Sequence, residues 1–462
     1  MDKKPDEAEE ETGGVRTPGS SAPGSPPGNV SLEDVHGTID VPNHQAGFWQ
    51  QWRAYVGPAI LVSVGYMDPG NWATDLAAGA QFKYGLLWVI GLASLMAIFM
   101  QMISARLGVV TGKDLAQCSR DWYPRWTRWP NWLFCELAIG ACDLAEVLGS
   151  AVALNLMFHI PLFWAVIITG LDVMLLLALQ QSGMRTIEAI VLVLVLTISG
   201  CYFIEIFVLP ETKPHLLEMG RALVTPNLSQ PGMLYVAIGI IGATVMPHNL
   251  YLHSSIVQTR AYEETAAGHR TAVKYAFLDS TVALSFALFI NAAILIVAAA
   301  TFHRAGQTGV AEIQEAYHLL TPLLGVAGSS AVFAFALLAS GQNSTLTGTL
   351  AGQIVMEGFL NIRIRPWLRR LITRGIAIVP AALTAIFFGE QGTAGLLILS
   401  QVILSLQLSF AVFPLVWFTS DRAKMGEFVN PTWLKPLAYG VAVVIAGFNV
   451  WLLVQAVGGW LR

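Results

Sequence analysis

The stretch "VGYMDPGNWATD", residues 64–75, puts a carboxylate, Asp68, directly before a proline, a glycine and an asparagine. It does so inside an apolar segment long enough to cross a bilayer. A charge near the bilayer centre costs roughly 2.5–3.5 kcal/mol on insertion scales. Pro69 deletes a backbone donor, and Gly70 and Asn71 disfavour helix. Three penalties in four residues mark a site within a membrane helix, not a packing accident.

The rest of the chain agrees. Of 462 residues, 55% are hydrophobic and only 12% are charged, with mean hydropathy +0.58. Soluble proteins carry about 25% charged residues, so this composition describes a polytopic, all-α membrane protein. Apolar runs of about twenty residues fall at 54–77, 86–110, 131–158, 161–180, 186–209, 232–258, 275–302, 326–351, 371–389, 393–418 and 434–458, which makes eleven spans. With the N-terminus cytoplasmic, the inner loops hold Lys113, Arg120, Arg125, Arg128, Arg185, Arg260, Arg270, Lys274, Arg363, Arg365, Arg369, Arg370, Arg374, Arg422, Lys424 and Lys435. The outer side holds Lys83, Lys213, Arg221, Arg304 and Arg462. Sixteen against five satisfies the positive-inside rule and sets N-in and C-out.

Residues 1–45 are acidic and rich in Pro, Gly and Ser. They cannot bury a core and are expected to be a disordered cytoplasmic tail without a signal-peptide apolar region. The transporter core is expected over 46–430 and the eleventh helix over 431–462. Cys118, Cys135, Cys142 and Cys201 show no CxxC or CxxH spacing and read as small buried residues.

Span 6 repeats the device of span 1. It contains "IGATVMPHNLYLHS", residues 241–254, and "MPHN" at 246–249 matches "DPGN" at 68–71. Each break starts about fourteen residues into its span. Span 1 opens a first set of five spans (54–209) and span 6 a second (232–418). Five is odd, so the second set runs opposite to the first. Broken segments at matching positions of two inverted repeats point to a transporter with its binding site at the midplane. There, unwound carbonyls can face a cavity and hold a cation.

The candidate ligands are Asp68, Asn71, Met246 and the carbonyls of Gly65 and Ala243. Carboxylate and amide oxygens suit hard divalent ions, whereas a thioether suits softer ones. Mg2+ and Ca2+ prefer all-oxygen shells. A mixed oxygen and sulfur set therefore favours Mn2+ or Fe2+. In span 3, "CELAIGACDLAEVLGS" places Glu136, Asp143 and Glu146 on one helical face. Acids aligned in this way mark a proton or ion path, or a structural cluster paired to arginines. His248 lies two residues after Met246 and titrates near neutral pH when unperturbed. A buried carboxylate tends to hold a proton that a divalent cation expels, which suits Asp68 to both tasks. His253 is assigned no role beyond helix packing.

"DPGNWATD", "MPHNLYLHSS", "GQNSTLTGTLAGQIVMEGFLN" (341–361) and "SQVILSLQLSFAVFPL" (400–415) resemble the Nramp family of divalent-metal transporters over about residues 50–455. The resemblance implies a LeuT-type fold of two five-span inverted repeats and metal uptake coupled to protons. It implies that Asp68, Asn71, Met246 and the Ala243 carbonyl hold the metal, joined by Gln401 and the Gly65 carbonyl as the site closes. Asn291 would stand in the outer shell. Protons would run from Asp68 and His248 through Asp143 and Glu146, then past Arg260, Arg369 and Arg370. Met246 favours the transition-metal branch over the magnesium-transporting relatives. Two departures are visible: Ser409 where the family usually has proline, and Asn343 where serine is common.

Other classes fit less well. An amino-acid carrier of the same architecture would not place Asp68 where a substrate carboxylate must sit. No HExxH or Walker motif supports a metalloenzyme or an ATP-driven pump. A channel, or a broad divalent-cation transporter with loose proton coupling, stays open. The expected partners are divalent ions, protons and the lipid bilayer, with no nucleic acid. Neither enzymatic activity nor a resident cofactor is expected. The protein is expected to be a monomer in a bacterial cytoplasmic membrane.

Overall fold

The computed structural model describes residues 35–170, 184–204, 206, 214–309, 313–324, 329–362, 364 and 366–460. Residues 1–34 of the expected tail lie outside these, as do 171–180 of span 4, 205 and 207–209 of span 5, 326–328 of span 8, and Lys213, Arg363, Arg365 and Arg462 from the charge comparison.

The described chain is almost wholly helical. A short amphipathic helix α1 (Phe48–Tyr55) precedes the first break, which α2 (Pro58–Gly65) and α3 (Pro69–Phe82) flank. Then come α4 (Leu87–Thr111), the short α5 (Leu115–Trp122), α6 (Arg128–Phe158), α7 (Leu162–Thr169), α8 (Met184–Phe203) and α9 (Leu216–Val224). The second break lies between α10 (Met233–Thr244) and α11 (Pro247–Ile256). The chain continues with α12 (Ala266–Ala298), α13 (Ile313–Leu324), α14 (Ser329–Leu360), α15 (Pro366–Phe387), α16 (Thr393–Ser420) and α17 (Leu434–Trp460).

Eight described helical segments are individually long and apolar enough to span a bilayer. The other expected spans escape that count for local reasons. Span 1 is cut into halves of 8 and 14 residues. Span 4 is described only over α7. In α14 the run Gln342–Thr345 dilutes an otherwise apolar helix. Several helices also outrun their apolar windows. The helix of span 7 begins at Ala266 rather than 275, and that of span 8 runs on to Leu360 rather than 351. Hydropathy marks what the bilayer covers, whereas backbone hydrogen bonding continues into water until a cap or a proline ends it.

Helix α6 is the centre of the bundle. It packs most extensively on α14 and also on α16 and α15, while α12 covers α3 and α4, and α10 lies against α16. The last part of the segment read as tail has contacts of its own. Ile39–Asp40 pairs in parallel with Arg260–Ala261, just after span 6. Gly37 N donates to Gln258 O at 2.9 Å, and His44 Nδ1 meets Glu263 at 2.8 Å. The apolar residues Val35, Ile39 and Val41 pack against the core here.

Candidate metal site

The two breaks are built alike. In each, the second half-helix starts with proline at its first position, preceded by one residue in extended conformation. That residue is Asp68 (φ −69°, ψ 165°) in span 1 and Met246 (φ −68°, ψ 125°) in span 6. In a continuous helix, Gly65 O would accept from residue 69 and Ala243 O from residue 247. Both are prolines and have no N–H. The prolines thus free the two carbonyls read as ligands from the sequence.

Asp68 caps its own half-helix: Oδ1 accepts from Asn71 N at 2.8 Å. Its second oxygen, Oδ2, lies 3.5 Å from Gln401 Nε2 on α16. Gln401 reaches this point because Gly70 has no side chain. A Cβ there would collide with the Gln401 amide, and a Cβ on Gly242 would collide with the Gln401 backbone carbonyl. One residue of α16 therefore touches both breaks. Asn249 Nδ2 approaches Met246 Sδ at 3.7 Å and Val62 O at 3.4 Å, tying span 6 to span 1.

Asp68, Asn71, Met246 and Gln401 are at most 1% exposed. Among the described residues, Asn71 Oδ1 and Gln401 Oε1 are buried without a hydrogen-bond partner, as are Asn249 Oδ1 and Asn291 Oδ1. Buried polar atoms are normally paired, and leaving one unpaired costs about 1–3 kcal/mol. Several orphaned oxygens around one carboxylate fit a cavity that a cation completes. Asn291 Nδ2 donates to Tyr66 O at 2.9 Å. Asn291 thus holds the unwound backbone two residues before Asp68. Among the described residues no three His, Cys, Asp or Glu side chains converge. Around Asp68 the donors are otherwise neutral amides, a thioether and carbonyls.

The Nramp model, described as natural resistance-associated macrophage protein-like, matches residues 59–455. This chain belongs to the Nramp family. It is 60% identical over 439 residues to a divalent metal cation transporter MntH of a Nostoc species, covering 95% of this chain and 99% of the relative. It is 56% identical over 430 residues to the MntH of Mesorhizobium japonicum, covering 93% and 94%. Among solved structures, a mutant of the Eremococcus coleocola manganese transporter superposes with a TM-score of 0.85 at 39% identity, covering 94% of this chain and 92% of that one. MhsT in complex with L-phenylalanine superposes with a TM-score of 0.55 at 15% identity, covering 85% and 98%, and shares the fold alone. The protein is an integral membrane protein with the LeuT-type all-α fold of two inverted five-helix repeats and broken helices 1 and 6.

Behind the Nramp pocket, the three acids of α6 face α15. Glu136 takes Arg369 Nη2 on both oxygens at 2.9 and 3.0 Å. Asp143 takes Arg370 Nη1 at 2.5 Å. Glu146 Oε2 takes Arg370 Nη2 at 3.3 Å and Arg374 Nη1 at 3.4 Å. Gly348 and Gly352 of α14 let this stack close, since a Cβ at either would strike Glu146 or Arg369. His248 stands between pocket and stack, with Nε2 3.9 Å from Cys142 Sγ, and that sulfur is 3.6 Å from Glu146 Oε1.

Arg260 is not part of this stack. It grips Glu188 of α8 through Nη1 at 2.6 Å and Nη2 at 3.1 Å, and Nη2 also donates to Val56 O at 2.6 Å. Beside it, Asp279 of α12 accepts the Gly57 and Ala59 amides at 3.1 and 2.8 Å, capping α2. His253 Nδ1 contacts Gln101 Oε1 at 2.9 Å, and Gln101 donates to the Tyr66 hydroxyl at 2.7 Å. Ser409 receives Asn449 Nδ2 of α17 at 3.0 Å, and the same amide reaches Ser405 O at 2.7 Å. Asn343 is buried, and neither of its amide atoms has a hydrogen-bond partner among the described residues. The sequence reading passed over Glu188 and Asp279 and counted Arg374 only as a loop charge. Lone charges inside otherwise apolar spans were the signal available for the first two.

Proposed function

We propose that this chain imports divalent transition-metal ions, Mn2+ foremost and Fe2+ with it, by alternating access coupled to protons. One observation carries the reading. Two proline-broken helices and Gln401 surround a single buried carboxylate with orphaned amide oxygens, a thioether and two carbonyls freed by proline. The relatives' names, divalent metal cation transporter and manganese transporter, agree with it.

Asp68, Asn71, Met246, Gln401 and the carbonyls of Ala243 and Gly65 hold the metal in this reading, with Asn291 behind them. The thioether discriminates against Ca2+ and Mg2+, which gain little from sulfur. Entry of the cation displaces the proton that Asp68 keeps in its absence. The proton leaves by way of His248 and the stack of Asp143, Glu146 and Glu136 with Arg369 and Arg370. Arg260, held by Glu188, acts where α2 begins rather than within the stack. Metal and proton are substrates, and no resident cofactor takes part. The protein works as a monomer in a bacterial cytoplasmic membrane with its N-terminus inside and C-terminus outside, as the charge bias supports.

Mn2+ uptake into proteoliposomes at acidic and neutral outside pH, with and without excess Ca2+, tests this. Faster uptake at acid pH, indifference to Ca2+ and acidification of the lumen are the expected results. Equal transport of Ca2+ and Mn2+ without lumen acidification would reduce the reading to a broad divalent-cation carrier or channel.

A further inference from the structure

Span 11 lies outside the two five-helix repeats, yet one of its residues grips the helix that carries Gln401. Asn449 of α17 is 6% exposed and sits in an otherwise apolar interface. Its neighbours Phe448 and Trp451 pack against the cluster of Ile238 on α10 and Val402 on α16. The hydrogen bonds of its amide all go to two residues of α16. Nδ2 donates to Ser405 O at 2.7 Å and to Ser409 Oγ at 3.0 Å, and Oδ1 accepts from Ser405 Oγ at 3.0 Å.

These bonds fall one turn beyond Gln401. In a continuous helix Ser405 O accepts from Ser409 N, so Asn449 brings a second donor to that rung. A side chain inserted into the ladder is one of the few identified causes of helix bending. Gly242 of α10 presses on the same turn, since a Cβ there would collide with Gln401 O and the Ser405 side chain. Pro414, the proline inside α16, is about three and a half turns from Gln401. Gln401 Nε2 itself stands 3.5 Å from Asp68 Oδ2, outside the roughly 2.7–3.2 Å of a full N–H···O bond. A small change in the bend of α16 decides whether that contact closes.

We propose that Asn449 is the positioning residue for Gln401. By holding the Ser405 carbonyl and both serine hydroxyls, it fixes the point about which α16 bends and so presents the Gln401 amide to the ion beside Asp68. Span 11 thereby takes part in metal binding without touching the metal. The inference rests on the reading that Gln401 helps to hold the transported ion.

The test uses the full chain in proteoliposomes with Mn2+ as the probe, and the variants Asn449→Leu, Asn449→Ser, Gln401→Ala and the Gln401→Ala/Asn449→Leu pair. Supporting partners of metal ligands are worth roughly ten- to a hundredfold. Asn449→Leu should therefore raise the KM for Mn2+ about tenfold, and Asn449→Ser should raise it less. KM does not depend on how much protein folds, so a poor yield of either variant leaves the comparison valid. In the pair, Asn449→Leu should add nothing to the KM of Gln401→Ala, because the residue it positions is already gone. A role in packing alone would lower the maximal rate, leave KM unchanged and act equally in both backgrounds. Either an unchanged KM in Asn449→Leu or effects that multiply in the pair would overturn the inference. If Gln401→Ala itself left KM unchanged, the reading of Gln401 as a metal residue would fail first, and the positioning role with it.

Discussion

The pocket around Asp68 and the acid stack on α6 are neighbours, both buried and both built on carboxylates, yet their polar atoms are treated in opposite ways. In the pocket, among the described residues, the carboxylate meets amide partners and the Asn71 and Gln401 oxygens meet none. In the stack, all three acids meet arginines of α15. A buried polar atom left without a partner raises the energy of the empty protein, and a ligand that supplies the partner recovers that energy on binding. A buried ion pair has already recovered its desolvation cost internally, and removing one member exposes that cost. Orphaned oxygens leave the pocket with something to gain from a cation, whereas the ion-paired stack holds together without one.

This contrast can be broken experimentally, and the stack offers the largest effect. Arg370→Ala removes the Arg370 ion pair of Asp143 and weakens the hold on Glu146. Breaking a buried pair in this way costs about 3–5 kcal/mol. The variant should melt well below wild type in detergent, and neutralising both acids with Asp143→Asn and Glu146→Gln should restore much of the loss. A single Arg370→Ala variant as heat-stable as wild type would show that the stack does not bind the bundle together.

The pocket should respond in function, not in stability. Outer partners of metal ligands are worth roughly ten- to a hundredfold, so Asp68→Asn should lower Mn2+ uptake by at least about a hundredfold. Its melting temperature should hold or rise, because a buried carboxylate has been removed. Lower thermal stability with transport intact would reverse the roles assigned to pocket and stack.

A smaller change is expected from Met246→Ala. Loss of the thioether should let Ca2+ compete for Mn2+ uptake at about tenfold lower concentration. Unchanged Ca2+ competition would place selectivity in the oxygen ligands alone. Smallest of all is Arg270→Ala. Its partner Glu427 is only 2.6 Å away, but the two side chains are 68% and 46% exposed. Surface pairs of this kind contribute little, so melting temperature and uptake should match wild type. A clear drop in either would show that exposed pairs matter here as buried ones do.

Much of this was legible in the chain before folding. The broken helices follow from proline's missing N–H, a covalent property that needs no neighbour. The apolar spans follow from composition added up along a window. The shared face of Glu136, Asp143 and Glu146 follows from helical period. Asp68, Asn71 and Met246 could be chosen as ligands because each stands at or just after a break that the sequence itself announces. Helix ends were less legible: α12 and α14 continue past their apolar windows, because hydropathy records the bilayer and not the hydrogen bonds.

What the sequence by itself determined is therefore local: the fold class, the two breaks and the donor types beside them. Only the tertiary structure decided which surfaces meet. Asp143 and Arg370 are 227 residues apart, and Arg260 and Glu188 are 72 apart. Nothing in the local sequence says that Arg370 faces α6 while Arg260 turns to α8. Gln401 reaches Asp68 only because Gly70 and Gly242 leave room on both sides. A helix's sequence records which face is polar. Which partner covers that face depends on the packing of the whole bundle.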